Sequence, residues 1–482
     1  MIRVKETIIV VALSLLIAGV FFPSLQVFPN SFSKDDGYYY LEIAYNIGTN
    51  GTSSFDRLNE TSGYHLAWMG FLSLIASILT LFSDSKDLYL FAVSFFSILL
   101  ISSISNFFFK EWLHKACAFL ILISTFSFTE VLFLSALCLF VVKRILIDQI
   151  YLDKPLIISF IFIPLVRIDA VLFCLAVASC LMLFQSIHIG KKLVLASCVG
   201  TLCHFGLMYL FFENIWSVSS ITKSHWTWFG TSPLGTSILE NIIFNLTASK
   251  AIFINAFSLI FLNLFILLLL KRKNTTFFVI SICLIAPNSL FLHYFLISEL
   301  RSWYWTTPLI LSFFIAANIS IREQYHKDFL NIFAVIFTLL LSSGHLYIAV
   351  KYKDDRIYSK KFLNQMNNIT KTDQSVIYQI DGSGFVGYFS KSPLVNGDGL
   401  TNSYEYIKSK HSNGLHDYLK KNGICLIVTN TDLSDGYFID YHGLKIHHSE
   451  VEQLISPPKN LKSFFSKFAL FNIKRQDCTS RL

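Results

Sequence analysis

Residues 33–47 have the sequence SKDDGYYYLEIAYNI, and they follow a long apolar run that covers residues 7–28. Two adjacent carboxylates, Asp35 and Asp36, come first. The apolar residues after them recur at the spacing of one face of a short helix. Such a helix, placed directly after a hydrophobic span, lies along a membrane surface. We therefore predict a membrane protein whose first outer loop, residues 30–63, carries a surface helix headed by two acids.

The composition of the 482-residue chain points the same way. Hydrophobic residues make up 54% of it and charged residues only 15%. Soluble proteins carry roughly 25% charged residues, so a simple soluble enzyme is excluded, and the apolar content excludes a disordered chain. The net charge of +8 is spread over many loops. This pattern favours contact with lipid headgroups and gives no sign of nucleic-acid binding.

The apolar runs predict a polytopic α-helical membrane protein with about eleven spans. The run at 155–187 is interrupted by Arg167-Ile168-Asp169, so it counts as two short spans. The long run at 116–142 counts as one, and thirteen spans is the alternative if it is a broken pair. The other spans are predicted at 7–28, 66–82, 88–108, 193–212, 250–270, 275–297, 303–320 and 328–350.

Basic residues cluster in the predicted cytoplasmic loops, which places the N-terminus inside and the C-terminus outside. Lys110 and Lys115 would lie on the outer side, against this rule. Residues 1–350 form the predicted transmembrane domain. Residues 351–482 have short strand-like runs separated by turn signals, which predicts a small periplasmic α/β domain.

The cysteines give little indication of a chemical function. Seven of the nine cysteines lie in apolar runs, where cysteine acts as a small buried hydrophobe. Cys425 and Cys478 lie outside the spans, and a disulfide between them is the less favoured interpretation. The sequence contains no CxxC or HExxH metal signature.

Asp35 and Asp36 allow two interpretations that weigh about equally. One Asp suffices to cap a helix, whereas a second carboxylate adds repulsion unless a cation or a proton balances it. A functional pair would supply a general base. It would also suit a divalent ion such as Mg or Mn, because these ions prefer oxygen ligands.

Further candidate binding residues lie on the predicted outer side. Intramembrane ionisable residues are functional candidates by default, although a structural ion pair explains Arg167 and Asp169 equally well. An aromatic belt is the plainer explanation for Tyr64, and a snorkelling side chain for Arg301. The full set of candidate substrate-binding residues is Tyr39, Tyr64, His65, Glu130, Arg167, Asp169, Arg301 and Tyr304.

In this order, the motifs resemble the bacterial branch of the GT-C membrane glycosyltransferases, which includes protein O-mannosyltransferases and the lipid A aminoarabinose transferase. The residues that carry the resemblance are the Asp35–Tyr40 segment, Gly63-Tyr64-His65-x-x-Trp68, Arg167-Ile168-Asp169 and the C-terminal run from Gly387 to Ser403. Two departures are Ile168, where the branch has Pro, and Ser62, where many relatives have Asn.

The resemblance implies an inverting hexosyl- or pentosyltransferase in the bacterial inner membrane. Such an enzyme moves a sugar from a polyprenyl-phosphate donor to an acceptor on the periplasmic side: a surface glycan, lipopolysaccharide or O-antigen, or a protein of the cell envelope. By motif position the base is Asp35, with Asp36 orienting the acceptor or a metal. Arg301 or Arg167 would bind the donor phosphate.

Two other functions fit a polytopic chain with outer charges. A lipid-linked glycan transporter or flippase would favour internal repeats and helices broken at matching positions, and neither is evident. A glycan polymerase would favour a large outer loop rich in Arg and His. The loop at 213–249 is modest and contains few strong bases.

Overall fold

A computed structural model describes most of the chain. The described residues are 2–29, 35–124, 128–224, 258–267, 270, 277–297, 302–320, 324–370, 375–411, 414–429, 437–439, 445–458, 460–461 and 467–474. Arg301 and Cys478, and parts of the predicted spans at 250–270 and 275–297, lie outside these residues.

The transmembrane part is a bundle of apolar helices. They are α1 (Ile2–Leu25), α4 (Lys86–Phe108), α5 (Trp112–Ser124), α6 (Val131–Leu146), α7 (Lys154–Val166), α8 (Val171–Phe184), α9 (Ile187–Phe212), α11 (Ser258–Leu267), α12 (Phe277–Ile297), α13 (Thr306–Ser320) and α14 (Gln324–Lys351). Short helices α2 (Asp35–Asn50), α3 (Leu66–Thr80) and α10 (Val218–Ser224) lie between them.

Within the described part of the chain, three helices are long and apolar enough to cross a membrane: Ile8–Leu25, Lys86–Phe108 and Ile187–Phe212. Several others are apolar but shorter, with 10–17 residues. A straight span needs about 20 residues. The predicted count of eleven spans therefore stays a prediction.

The predicted span at 66–82 has a different place in the structure. The end of helix α1 lies next to the start of α4, as a hydrogen bond shows: the Gln26 Nε2 donates to the Asp87 Oδ1 at 3.0 Å. Helices α2 and α3 connect these two points and so make no net crossing of the bundle. Helix α3 has only 15 residues and packs along α2, with Ala76 against Gly48. We call this end of the bundle the site end.

The run at 116–142, which the sequence analysis counted as one span, is broken. Helix α5 ends at Ser124 and α6 begins at Val131. Between them Phe128 has a positive φ of 56°, and its carbonyl accepts a hydrogen bond from the Trp68 indole at 2.6 Å. Helix α4 starts at the site end, so its last turn lies at the opposite end, where the Lys115 ammonium donates to the Asn106 Oδ1 at 2.6 Å. Which end faces the cytoplasm stays a prediction.

The C-terminal domain follows α14 and starts with helix α15 (Lys353–Ile369). Its five-stranded sheet has the order β2-β1-β3-β7-β6. The strands are β1 (Ile377–Gln379), β2 (Leu394–Asn396), β3 (Leu426–Thr429), β6 (Val451–Ile455) and β7 (Ala469–Ile473), and β4 (Tyr437–Ile439) pairs with β5 (Lys445–His447) in a separate hairpin. Helices α16 (Ser383–Phe389), α17 (Tyr404–His411) and α18 (Leu415–Lys421) form the crossovers.

Strands β1, β2 and β3 are parallel, so their carboxyl ends meet at one edge of the sheet. Asp381 follows β1 at this edge and Asp398 follows β2. Cys425, at the start of β3, is disulfide-bonded, and its partner lies outside the described residues. The sequence analysis had ranked this disulfide below free thiols.

Helix α16 attaches the C-terminal domain to α2 at very close range. A Cβ on Gly384 would lie 2.1 Å from the Asp35 carbonyl oxygen, and one on Gly387 would lie 2.4 Å from the Phe55 ring. Both positions therefore require glycine for space rather than for backbone freedom. The Phe385 ring packs edge-on against Tyr38 from the other side, with centroids 5.4 Å apart.

We expect Gly384→Ala to lower the Tm of the purified protein, because the backbone of α2 must move away from the added methyl group. Overpacking of this kind costs about 1–3 kcal/mol. The matched control is Gly206→Ala in α9, where a Cβ would meet nothing within 4 Å. Thermal melting in detergent should show a loss for the first variant only, and equal Tm values would contradict the close docking.

Candidate active site

A buried ion cluster lies at the site end of the bundle. Glu130, at the break between α5 and α6, is 2% exposed. The Arg167 Nη1 donates to the Glu130 Oε1 at 2.5 Å, and the Arg167 Nε donates to the Asp169 Oδ1 at 2.8 Å. One guanidinium thus neutralises two carboxylates that the chain brings from two different turns.

Two aromatic rings and a histidine complete this cluster. The Tyr40 hydroxyl donates to the Glu130 Oε2 at 3.0 Å, and the His65 Nε2 lies 3.5 Å from the Glu130 Oε1. The Tyr304 ring stacks on the Arg167 guanidinium, whose carbon lies 4.8 Å from the ring centroid. Buried charges need partners of this kind, because leaving one unpaired costs several kcal/mol.

Except for Tyr40, which lies within α2, each member reaches the cluster from an element boundary. Arg167 lies between α7 and a short 3₁₀ turn, Ile168–Ala170, which opens α8. Tyr304 lies in a second 3₁₀ turn, Ser302–Trp305, before α13. His65 precedes α3. Since helix ends at the same depth meet in space, residues far apart in sequence form one site.

The two adjacent acids of α2 face different partners. Asp35 points to the C-terminal domain: its carboxylate accepts the backbone N–H of Gly384 at 2.9 Å and that of Phe385 at 2.8 Å. Asp36 lies one turn before Tyr40 on the same face of α2, and Tyr40 contacts the ion cluster through Glu130. Of the two acids, Asp36 is thus the one on the helix face that reaches the ion cluster.

Asp35 belongs to an acidic group at the domain junction. The Tyr39 hydroxyl donates to the Asp398 Oδ2 at 3.1 Å, and Ser383 donates to the Tyr39 oxygen. Burial, the largest cause, raises the pKa of Asp35 to about 7 and the pKa of Asp398 to about 7. The charge of Asp381 raises both further, against the lowering effect of the amide hydrogen bonds.

A second contact holds the other end of α16. Glu42 of α2 is fully buried and forms ion pairs with Arg57 and Lys86. The Arg57 Nη2 also donates to the Ser390 carbonyl, and the Lys86 Nζ donates to the Tyr388 carbonyl, both at 3.0 Å. Helix α16 therefore has a carboxylate at its N-terminus and two cations at its C-terminus, which matches its dipole.

The structure brings together five of the predicted site residues, His65, Glu130, Arg167, Asp169 and Tyr304, and Asp36 lies on the helix face that carries Tyr40 to them. It places three others elsewhere. Asp35 and Tyr39 contact the C-terminal domain, and the Tyr64 hydroxyl binds Ser53 at 2.8 Å.

The sequence analysis overlooked Tyr40, Glu42 and His204. Tyr40 and Glu42 lay in the segment it singled out, and polar groups inside an otherwise apolar helix face were the available signal. His204 is a buried histidine of α9 that interacts electrostatically with His65.

No metal-ligand geometry is found in the parts of the chain that the structure covers, which contain no group of three or more His, Cys, Asp or Glu able to hold an ion. Asp35 uses both carboxylate oxygens on backbone amides.

The helical bundle, the surface helices and the C-terminal sheet together form the GT-C fold of membrane glycosyltransferases. The chain is similar to the crystal structure of ArnT from Cupriavidus metallidurans in the apo state, with a TM-score of 0.55 and 13% identity over 98% of each chain. For the same protein bound to undecaprenyl phosphate the TM-score is 0.56, at 13% identity over 98% of this chain and 99% of that one. No protein-family model matches the sequence, and no curated protein matches it.

We expect Arg167→Ala to destabilise the protein strongly, because it leaves Glu130 buried and without its cation. Removing one partner of a buried pair costs about 3–5 kcal/mol. The double variant Arg167→Gln/Glu130→Gln removes both charges and should recover part of the loss. Thermal melting checks this order, and a double variant less stable than Arg167→Ala would contradict the pairing.

The domain junction should become less stable as pH rises. The pKa of Asp35 and that of Asp398 are both near 7 in the folded protein, above the unfolded value of about 4. The folded state therefore binds more protons, and stability falls between about pH 4 and pH 7. We expect a higher Tm at pH 5.5 than at pH 8. Asp398→Asn should flatten this dependence, whereas the exposed control Asp417→Asn should not.

Proposed function

We propose that the protein is an inverting glycosyltransferase of the bacterial cytoplasmic membrane that takes its sugar from a polyprenyl-phosphate donor. One observation carries this proposal: a GT-C fold places an acid-headed surface helix beside the buried Glu130–Arg167–Asp169 cluster. A solved protein of the same fold is bound to undecaprenyl phosphate. The site end would face the periplasm, since the basic residues of the bundle then lie in the cytoplasm.

The reaction needs a base that can reach the acceptor, and we assign this role to Asp36. The sequence analysis gave it to Asp35 and gave Asp36 the orienting role. The contacts favour the reverse assignment, because the Asp35 oxygens hold the first turn of α16. Asp36 lies on the face of α2 that carries Tyr40, whose hydroxyl contacts Glu130 of the cluster.

In the proposed step, an acceptor O–H or N–H attacks the anomeric carbon of the sugar. The bond from that carbon to the phosphate oxygen breaks, and its electron pair leaves with the polyprenyl phosphate. The acceptor proton passes to the Asp36 carboxylate, and the anomeric configuration inverts. A glycosidase differs, because its two carboxylates stand on opposite sides of the bond.

The leaving phosphate gains negative charge as the bond breaks, so a fixed cation lowers the barrier. Arg167 is preorganised by Glu130, Asp169 and the Tyr304 ring, and guanidinium matches phosphate geometry well. We propose that Arg167 and Arg301 share this role. His65, next to Glu130, would contact the sugar or the acceptor.

A lipid-linked donor suits this location. Its polyprenyl chain would remain among the apolar helices while its phosphate reaches the polar cluster at their ends. The acceptor would be a surface glycan, lipopolysaccharide or O-antigen, or a protein, and it would arrive from the side of the C-terminal domain. A flippase is the second candidate. An ion cluster held by residues from several helix ends favours the positioning of a substrate over alternating access.

Asp36→Asn should abolish sugar transfer, while Asp35→Asn should keep a substantial part of it. The Asn amide oxygen at position 35 can still accept a backbone N–H, whereas Asn at position 36 cannot take a proton. Loss of a general base typically costs 10²–10⁴ in rate. Equal activity of wild type and Asp36→Asn would exclude this mechanism.

The donor for this assay comes from the protein itself. We expect mass spectrometry to find a polyprenyl-phosphate sugar bound to Asp36→Asn purified from its native membrane, because that variant binds but does not turn over. The same donor is then used in the transfer assay with the wild type, Asp36→Asn and Asp35→Asn. If vesicles containing Asp36→Asn moved this lipid across the membrane as fast as wild type, and neither transferred sugar, the flippase would be favoured.

A further inference from the structure

Helix α15 presents a basic groove that the proposed reaction does not use. The groove has a volume of about 600 Å³. Four of its lining residues are basic, namely Lys353, Arg356, Lys360 and Lys361, with Asn364, Gln365 and Asn368 beside them, and the surface that these side chains give the groove is almost entirely aliphatic. Val27 and Ile357 supply its apolar contacts.

The groove lies where the bundle meets the C-terminal domain. Helix α14 ends at Lys351 and α15 starts two residues later. Val27, just after the end of α1, lines the groove from the bundle side. The next residue, Phe28, is fixed to α15, because its backbone N–H donates to the Ser359 hydroxyl at 3.0 Å. The groove therefore lies at the level where lipid headgroups surround the helices.

The exposed face of α15 is not an ordinary solvated helix surface. Its buried face, with Tyr358, Phe362 and Met366, packs onto the domain. On the opposite face Ile357 is 61% exposed, although lysines surround it. The only acidic side chain exposed on α15, Asp354, lines a neighbouring cavity of about 340 Å³ and not this groove. An apolar residue among cations is typical of helices that bind at a membrane surface.

The adjoining helices provide an apolar surface for acyl chains. On α14 the last turns expose Tyr347 and Val350, at 61% and 70%. On α1, Leu16 and Val20 are exposed in the same way. A lipid bound at the groove with an anionic headgroup would place its acyl chains along these side chains.

From this placement we infer that the α15 groove binds an anionic lipid in the leaflet at the site end. The aliphatic lining contacts the apolar part of the lipid, and the exposed ends of Lys353, Lys360 and Lys361 bind the phosphate oxygens at the edge of the groove. The lipid would fix the C-terminal domain to the membrane plane. This site is separate from the Glu130–Arg167 cluster, so the test of lipid binding does not depend on the proposed reaction.

The test uses the full chain in nonionic detergent, with bound lipid measured by native mass spectrometry. Phosphatidylglycerol is the anionic probe, phosphatidylcholine the zwitterionic comparison and inorganic phosphate the competitor. We expect phosphatidylglycerol to bind tightly, phosphatidylcholine weakly, and millimolar phosphate to compete poorly. The triple variant Lys353→Gln/Lys360→Gln/Lys361→Gln should weaken phosphatidylglycerol binding on the order of a hundredfold, since each cation near the surface contributes about 1 kcal/mol.

The matched control is Lys408→Gln/Lys420→Gln/Lys421→Gln, which removes three exposed lysines from α17 and α18. It should bind phosphatidylglycerol like the wild type. An equal loss in both triple variants would show a general charge effect and overturn the site. So would equal binding of the two lipids, or full competition by inorganic phosphate, which would make the ligand a soluble anion. All these side chains are exposed, so both variants should fold.

Discussion

The polar side chains on the two faces of α2 must find different partners, and the rest of the site depends on this division. One face carries Asp35, Tyr39 and Glu42 against the C-terminal domain. The other carries Asp36 and Tyr40 against the bundle. Because polar groups removed from water need hydrogen-bond partners, a surface helix with this sequence is stable only when both sides are present.

The attachment of α16 shows how the two sides are joined. Asp35 binds the amides at its N-terminus, and the cations paired with Glu42 bind the carbonyls at its C-terminus. Gly384 allows the backbones of α16 and α2 to approach closely, and Gly387 leaves room for the Phe55 ring. These contacts join the C-terminal domain to the helix that carries Asp36 and Tyr40.

The ion cluster explains why two long apolar runs are interrupted. The run at 116–142 breaks because Glu130 pairs with Arg167 and Tyr40, and the run at 155–187 breaks at Arg167 for the same reason. Both breaks lie at the same end of the bundle. A charged residue inside an apolar run is therefore a stronger indicator of helix ends in this chain than run length.

The sequence by itself determined the membrane class, the helix headed by Asp35 and Asp36, the interruption at Arg167-Ile168-Asp169 and the mixed α/β character of the C-terminal domain. These follow from local signals: hydrophobic periodicity, paired acids and turn residues. The placement of α2 along a membrane surface stays a prediction, and in the structure α2 packs against α3 and α16. Only the tertiary structure decided that α3 stays at the site end, that Asp35 and Asp36 have opposite partners, and that Glu130, Arg167 and Tyr304 share one site. The physical reason is that ion pairs and helix contacts join residues far apart in the chain, such as Asp35 and Gly384. Local sequence patterns do not show which distant residues come into contact.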